Sequence, residues 1–140
     1  MKYFGTDGIR GLVGEEEFLS PAFVKAVAFA VATTLDELAR PVVIVGRDTR
    51  ESGKSLESIF TSVLNNNGVR VVSAGVVPTA VLSFLTKPHG ASLGIMLTAS
   101  HNPPKYNGIK IFDAGGEKLD EESIARLEEY IDKALDRLPC

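Results

Sequence analysis

The chain has one cysteine, Cys140 at its last position, and no tryptophan. A single thiol cannot close an internal disulfide, so a cystine-stapled fold is excluded. No apolar run approaches the ~18 residues that a membrane-spanning helix needs. The opening MKYFGTDG lacks the apolar core of a signal peptide. A dominant charge is missing too: 15 Lys and Arg stand against 18 Asp and Glu, a net charge of −3. That balance argues against an electrostatic surface for nucleic acid or for a membrane. A cytoplasmic protein is the expectation.

What is present is an ordinary globular composition, 44% hydrophobic and 24% charged over 140 residues. One domain, residues 1–140, is expected to bury about two thirds of its unfolded surface.

The most informative stretch is GIMLTASHNPPKYNGIKIF, residues 94–112. Ile95 to Leu97 read as a buried strand that delivers Ser100 to the rim of a sheet, on a loop stiffened by Pro103 and Pro104. An Asn107-Gly108 turn is expected next, then a second strand, Ile109 to Phe112. Rims of sheets are where α/β folds place chemistry, which singles out Ser100. On composition alone, Ser-His-Asn-Pro is equally ordinary turn material. His101 does not make Ser100 a Ser-His nucleophile, since adjacent residues in extended chain point to opposite faces and no G-x-S-x-G elbow is present.

Residues 3–14, YFGTDGIRGLVG, hold four glycines. Such density lets the backbone turn sharply or approach a ligand closely. Arg10, between Gly8 and Gly11, is well placed to offer a guanidinium to phosphate, although a glycine-rich hairpin with a solvated arginine fits as well.

Ser20-Pro21 opens the first helix as N-cap and first helical residue. Phe23, Val27, Val31, Leu35 and Leu38 form its apolar face, and Pro41 is expected to stop it. Val42 to Val45 read as a strand buried on both faces. GRDTRESGKS, residues 46–55, imitates a nucleotide phosphate loop, but the glycine required five residues before Gly53 is Asp48. A carboxylate there would repel phosphate. Asp48 is better read as the ion-pair partner of Arg47 or Arg50, with Ser52 capping a helix that runs to about Asn66. Gly68 stops that helix, Val69 to Ser73 form a strand, and a short helix follows from Pro78-Thr79 with Val81, Leu82 and Leu85 inward. Asp120 caps the last helix, whose stripe is Ile124, Leu127, Ile131, Leu135 and Leu138, with Glu122/Arg126 and Glu129/Lys133 on its solvated face. The alternation implies an α/β layered sheet flanked by helices, mixed but mainly parallel, with an antiparallel member.

Three ordered segments carry a family resemblance: MKYFGTDGIRG, GRDTRESG and TASHNPPKYNGIK. They resemble the N-terminal signature, an intervening segment and the phosphoserine loop of the α-D-phosphohexomutases. The resemblance is to the first of that family's four domains, nearest the phosphoglucosamine mutase branch, with the phosphomannomutase/phosphoglucomutase branch next. It implies that Ser100 carries a phosphoryl group, passes it to a hexose monophosphate to give a 1,6-bisphosphate, and takes it back from the other end. It implies that Arg10 contacts the reacting phosphosugar, that Lys110 is the general acid/base and that Thr6 and Gly8 line the cleft. His101 and Asn102 would orient the loop, and His101 could also help proton transfer. Mg²⁺ would bind through the phosphate on Ser100. Its other ligands, in the family, are aspartates of a D-x-D-x-D motif from the second domain, and no such motif occurs here. The chain alone is therefore expected to be catalytically inactive. A non-catalytic phosphosugar-binding module on the same scaffold is the alternative from another class.

Overall fold

The computed structural model describes residues 2–137. In chain order the elements are β1 (Ile9–Leu12), α1 (Pro21–Thr34), β2 (Val42–Arg47), α2 (Gly53–Asn66), β3 (Arg70–Val76), α3 (Thr79–Thr86), β4 (Leu93–Leu97), β5 (Tyr106–Phe112) and α4 (Glu121–Arg137). One sheet has the order β1-β5-β4-β2-β3. β4, β2 and β3 run parallel, joined through α2 and α3, while β5 lies antiparallel to both β1 and β4. The mixed sheet with one antiparallel member is thus present, and the chain order explains it. β4 and β5 have no crossover helix between them, so they can only form an antiparallel pair.

Alternation along the strands divides the sheet into two faces. Val43, Val45, Ile95, Leu97, Ile109 and Ile111 join the larger core with residues of α1, α2 and α4. Ile44 and Met96 point the other way, into a small core closed by Leu82 of α3 and by Ala91. Three helices therefore cover one face and a single eight-residue helix the other. α1 lies between α2 and α4, which is why its alanines 26, 28, 30 and 32 are buried along with Val24, Val27 and Val31. Its cap is as expected: Ser20 Oγ accepts from the Phe23 amide at 3.2 Å. Asp120 likewise accepts from the Ser123 amide at 2.7 Å.

Several boundaries differ from the sequence reading. α1 ends at Thr34 rather than running on towards Pro41, and Leu38 is 51% exposed instead of lying on the apolar face. The hydroxyls of Thr33 and Thr34 bond back to the carbonyls of Phe29 and Val31, and Leu35 then turns out of the helix. Ser52 does not cap α2. Its backbone is already helical, so its hydroxyl cannot turn back onto the first-turn amides. In α3, Val81 faces solvent at 40% exposure and Leu85 is only half-buried. Leu82 and Thr86, one turn apart, are the inward pair. β3 runs three residues past Ser73, over a bulge where Gly46 meets Gly75. Asn107-Gly108 is not a turn but the interior of β5. Leu138, read as the end of the last helical stripe, and Cys140 lie outside the described residues.

Candidate active site

Every residue of β4 is buried, and burial persists through Thr98 and Ala99 before Ser100 emerges at the surface. Ser100 has φ 54°, a left-handed conformation that costs an L-residue about 1–2 kcal/mol. Arg10 Nη2 donates to its hydroxyl oxygen at 2.9 Å.

The sheet brings these distant residues together. Arg10 of β1 pairs with Gly108 of β5, and Thr98 N–H donates to the Gly108 carbonyl at 3.0 Å. A Cβ at 108 would lie 3.0 Å from Arg10 Cγ and 2.5 Å from the Thr98 carbonyl oxygen. The missing side chain therefore leaves Arg10 a path across β5 to Ser100. Arg10 is mostly buried, lies 3.9 Å from Asp7, and its Nε is buried without a partner.

The other residues singled out from the sequence fall in two places: Thr6, Gly8 and Lys110 in a pocket beside β5 that neither Arg10 nor Ser100 lines, and His101 and Asn102 on the loop after β4. Gly8 has φ 90°, and a side chain there would strike the Ile109 carbonyl and approach Lys110 Cγ at 3.1 Å. Thr6, Gly8, Lys110 and Lys118 line a pocket of about 110 Å³. Lys118 Nζ donates to the Thr6 carbonyl, tying the N-terminal loop to the turn after β5. Asn102 enters through its main chain, with its amide on the Ala99 carbonyl at 3.1 Å. His101 is exposed on the loop beside Ser100.

The Gly46–Ser55 segment becomes a brace for the serine loop. Arg50 Nε pairs with Asp48 at 3.1 Å, which resolves the two partners left open by the sequence, since Arg47 pairs with Glu57 at 2.8 Å instead. Thr98 Oγ1 donates to Asp48 at 2.7 Å and accepts from the Ser100 amide at 3.0 Å. Asn107, fully buried, donates to Ser52 Oγ at 2.8 Å and accepts from the Gly108 amide. Sequence reasoning missed Thr98, Asn107 and Lys118. Only the Asp48–Arg50 pairing left a local signal.

Among the described residues no group of three or more His, Cys, Asp or Glu could hold a metal ion. Asp48, the carboxylate bonded to the residues that hold Ser100, is already committed to Thr98 and Arg50. The residues present do not by themselves fit Mg²⁺.

Residues 1–137 match the family described as "Phosphoglucomutase/phosphomannomutase, alpha/beta/alpha domain I". The chain belongs to this phosphohexomutase domain I family. Among curated relatives, the phosphoglucosamine mutase of Polaromonas naphthalenivorans is 52% identical over 122 residues, 86% of this chain and 27% of that protein. The Bacillus mycoides phosphoglucosamine mutase is 44% identical over 99% of this chain and 31% of its own length. The chain thus spans less than a third of each. A solved phosphoglucomutase/phosphomannomutase family protein from Burkholderia thailandensis superposes with a TM-score of 0.78 at 29% identity, covering 94% of this chain and 30% of that one. A solved structure from Thermus thermophilus reaches a TM-score of 0.83 at 37% identity, over 91% of this chain and 29% of that one. In this phosphohexomutase domain, as in the sheet built above, the helices are layered on both faces.

Proposed function

We propose that the chain is the phosphoserine-bearing first domain of a phosphohexomutase acting on a hexose phosphate, with glucosamine phosphate the substrate favoured by its relatives. The observation that carries this is the 2.9 Å bond from Arg10 Nη2 to Ser100 Oγ. A serine oxygen held at a rim by a guanidinium is suited to carry phosphate rather than to attack unaided, because phosphoryl transfer depends on positioning and charge neutralisation.

In the reaction, a sugar hydroxyl attacks the phosphorus of phosphorylated Ser100. The new sugar O–P bond forms as the Ser100 Oγ–P bond breaks. Lys110 takes the proton of the attacking hydroxyl as general base, and that proton is passed on to Ser100 Oγ as it leaves, so that Lys110 ends the step as it began. Arg10 offsets the negative charge on the moving group. Reversal from the bisphosphate's other phosphate restores phosphoserine. Thr6 and Gly8 shape the pocket beside Lys110, Asn102 ties the loop on which Ser100 sits through its amide bond to the Ala99 carbonyl, and His101 stands exposed beside Ser100. Mg²⁺ would find one ligand here, a phosphate oxygen on Ser100, with the others supplied from outside this chain.

Mass spectrometry of the Ser100 peptide tests the reading after the complete protein is incubated with a hexose 1,6-bisphosphate. A phosphate on Ser100, absent in Ser100→Ala, is expected. Persistent absence would leave a phosphosugar-binding module instead. The 140-residue chain alone is expected to turn over no hexose phosphate, with or without Mg²⁺.

A further inference from the structure

Ser100 is the one non-glycine residue with a positive φ among the described residues. An unfavourable conformation of this kind persists only where its surroundings over-determine it. The prolines at 103 and 104 follow the strained residue, and the Pro103 carbonyl accepts from Arg50. Both main-chain polar groups of residue 100 are held by one ring of hydrogen bonds. The amide donates to Thr98 Oγ1, the Thr98 hydroxyl donates to Asp48 Oδ2, and Arg50 Nε donates to the same carboxylate. Arg50 Nη2 then closes the ring on the Ser100 carbonyl at 2.8 Å. The remaining nitrogen, Nη1, faces the carbonyls of Asn102, Pro103 and Tyr106 at 3.0, 2.8 and 3.2 Å. All three guanidinium nitrogens are engaged, and five oxygens surround them.

We propose that Arg50 is a positioning residue: it clamps the main chain of residues 100–106 and sustains the left-handed backbone that aims Ser100 Oγ at Arg10. Its side chain is 9% exposed, so it is not offered to substrate. Its charge is met by Asp48, so it adds little to the neutralisation that Arg10 supplies. What remains is geometry, and only a planar fork supplies it. Lysine has one nitrogen, which cannot reach Asp48 and carbonyls on opposite sides of the loop together. The catalytic consequence rests on the phosphoryl-transfer reading above; the structural one does not.

Four variants test it: Arg50→Lys, Thr98→Val, Thr98→Ser, and Ser52→Ala, which breaks the other tie of the same segment without touching residue 100. Hydrogen exchange at the Ser100 amide is measured in this chain, and kcat and KM for a hexose monophosphate in the complete enzyme. Arg50→Lys and Thr98→Val should each accelerate Ser100 exchange by roughly tenfold or more, since the opening becomes local. They should lower kcat on the order of a hundredfold with KM within about threefold, the signature of a misplaced reacting group. Thr98→Ser should restore both measures, and Ser52→Ala should leave both unchanged. Unaltered Ser100 exchange in Arg50→Lys overturns the proposal. So does a loss confined to KM, or a Ser52→Ala variant that loses as much as Arg50→Lys. If Arg50→Lys does not fold, the Thr98→Val and Thr98→Ser pair decides by the same criteria. Should the parent enzyme never carry phosphate on Ser100, the phosphoryl-transfer reading fails alone, and exchange still decides the clamp.

Discussion

Arg10 and Gly108 sit opposite one another in the β1–β5 pair, and the arginine reaches Ser100, 90 residues away in sequence, over the space that glycine leaves. A methyl group at 108 would press on Arg10 Cγ, on the Thr98 carbonyl and, at 2.6 Å, on the Ile9 carbonyl. Two of these three neighbours are backbone and cannot swing aside. Gly108→Ala should therefore destabilise the fold by about 1–3 kcal/mol, as overpacking does. It should also cut phosphate uptake at Ser100. Thermal unfolding and Ser100 phosphopeptide analysis read the two effects; a variant that melts and loads like the parent would rule out the close approach.

Ser100 is exposed yet strained, which makes its stability response unusual. Glycine in a regular position costs roughly 0.5–1 kcal/mol relative to alanine. At φ 54° the relief of strain opposes that cost. Ser100→Gly is expected to unfold at the same denaturant concentration as the parent or higher, while Ser100→Ala keeps the strain and falls slightly below it. Both should abolish phosphate uptake.

Glu128 of α4 ties down the N-terminal loop that leads to Arg10, accepting from the amides of Tyr3 at 2.6 Å and Phe4 at 3.0 Å. Burial pushes its carboxyl up, but the N–H groups of Phe4, Lys2 and Tyr3 together hold it below the ordinary carboxylate range. Asp132 is lowered as well, first by the Tyr3 hydroxyl and then by Lys2. Because the folded-state values are depressed, their stabilising contribution is complete above the unfolded carboxylate pKa and lost as pH falls through the folded one. Stability should therefore drop on acidification below about pH 4. Glu128→Gln should be weaker at pH 7 and show a shallower acid decline. Denaturant midpoints at about pH 7 and about pH 3, on either side of the carboxylate range, give the comparison. Parallel declines in the two proteins would contradict this account.

Asn107 is fully buried within β5, and its amide bridges Ser52 and the Gly108 backbone. Asn107→Ala leaves buried partners unsatisfied and should cost about 1–3 kcal/mol. Asn107→Asp keeps the acceptor for Gly108 but loses the donor to Ser52, and should also destabilise. An Asn107→Ala melting temperature equal to the parent's would show the bridge to be idle.

Features specified within a few residues were legible in the chain itself. Ser20 and Asp120 announce helix starts because a cap needs only its own first turn, and β4 announces burial because all its residues are apolar. Ser100 could be placed beyond a buried strand for the same reason, and the lack of a crossover before β5 implied its antiparallel direction. Arg50's choice among Asp48 and four carbonyls, Asn107 as strand rather than turn, and Val81 turned to solvent were decided elsewhere. Each depends on what the sheet order β1-β5-β4-β2-β3 sets beside it, at separations of tens of residues where local propensity carries no information. The reach of Arg10 to Ser100 is of this second kind: the residues come from the sequence, and their 2.9 Å meeting comes from pairing β1 with β5 and β5 with β4.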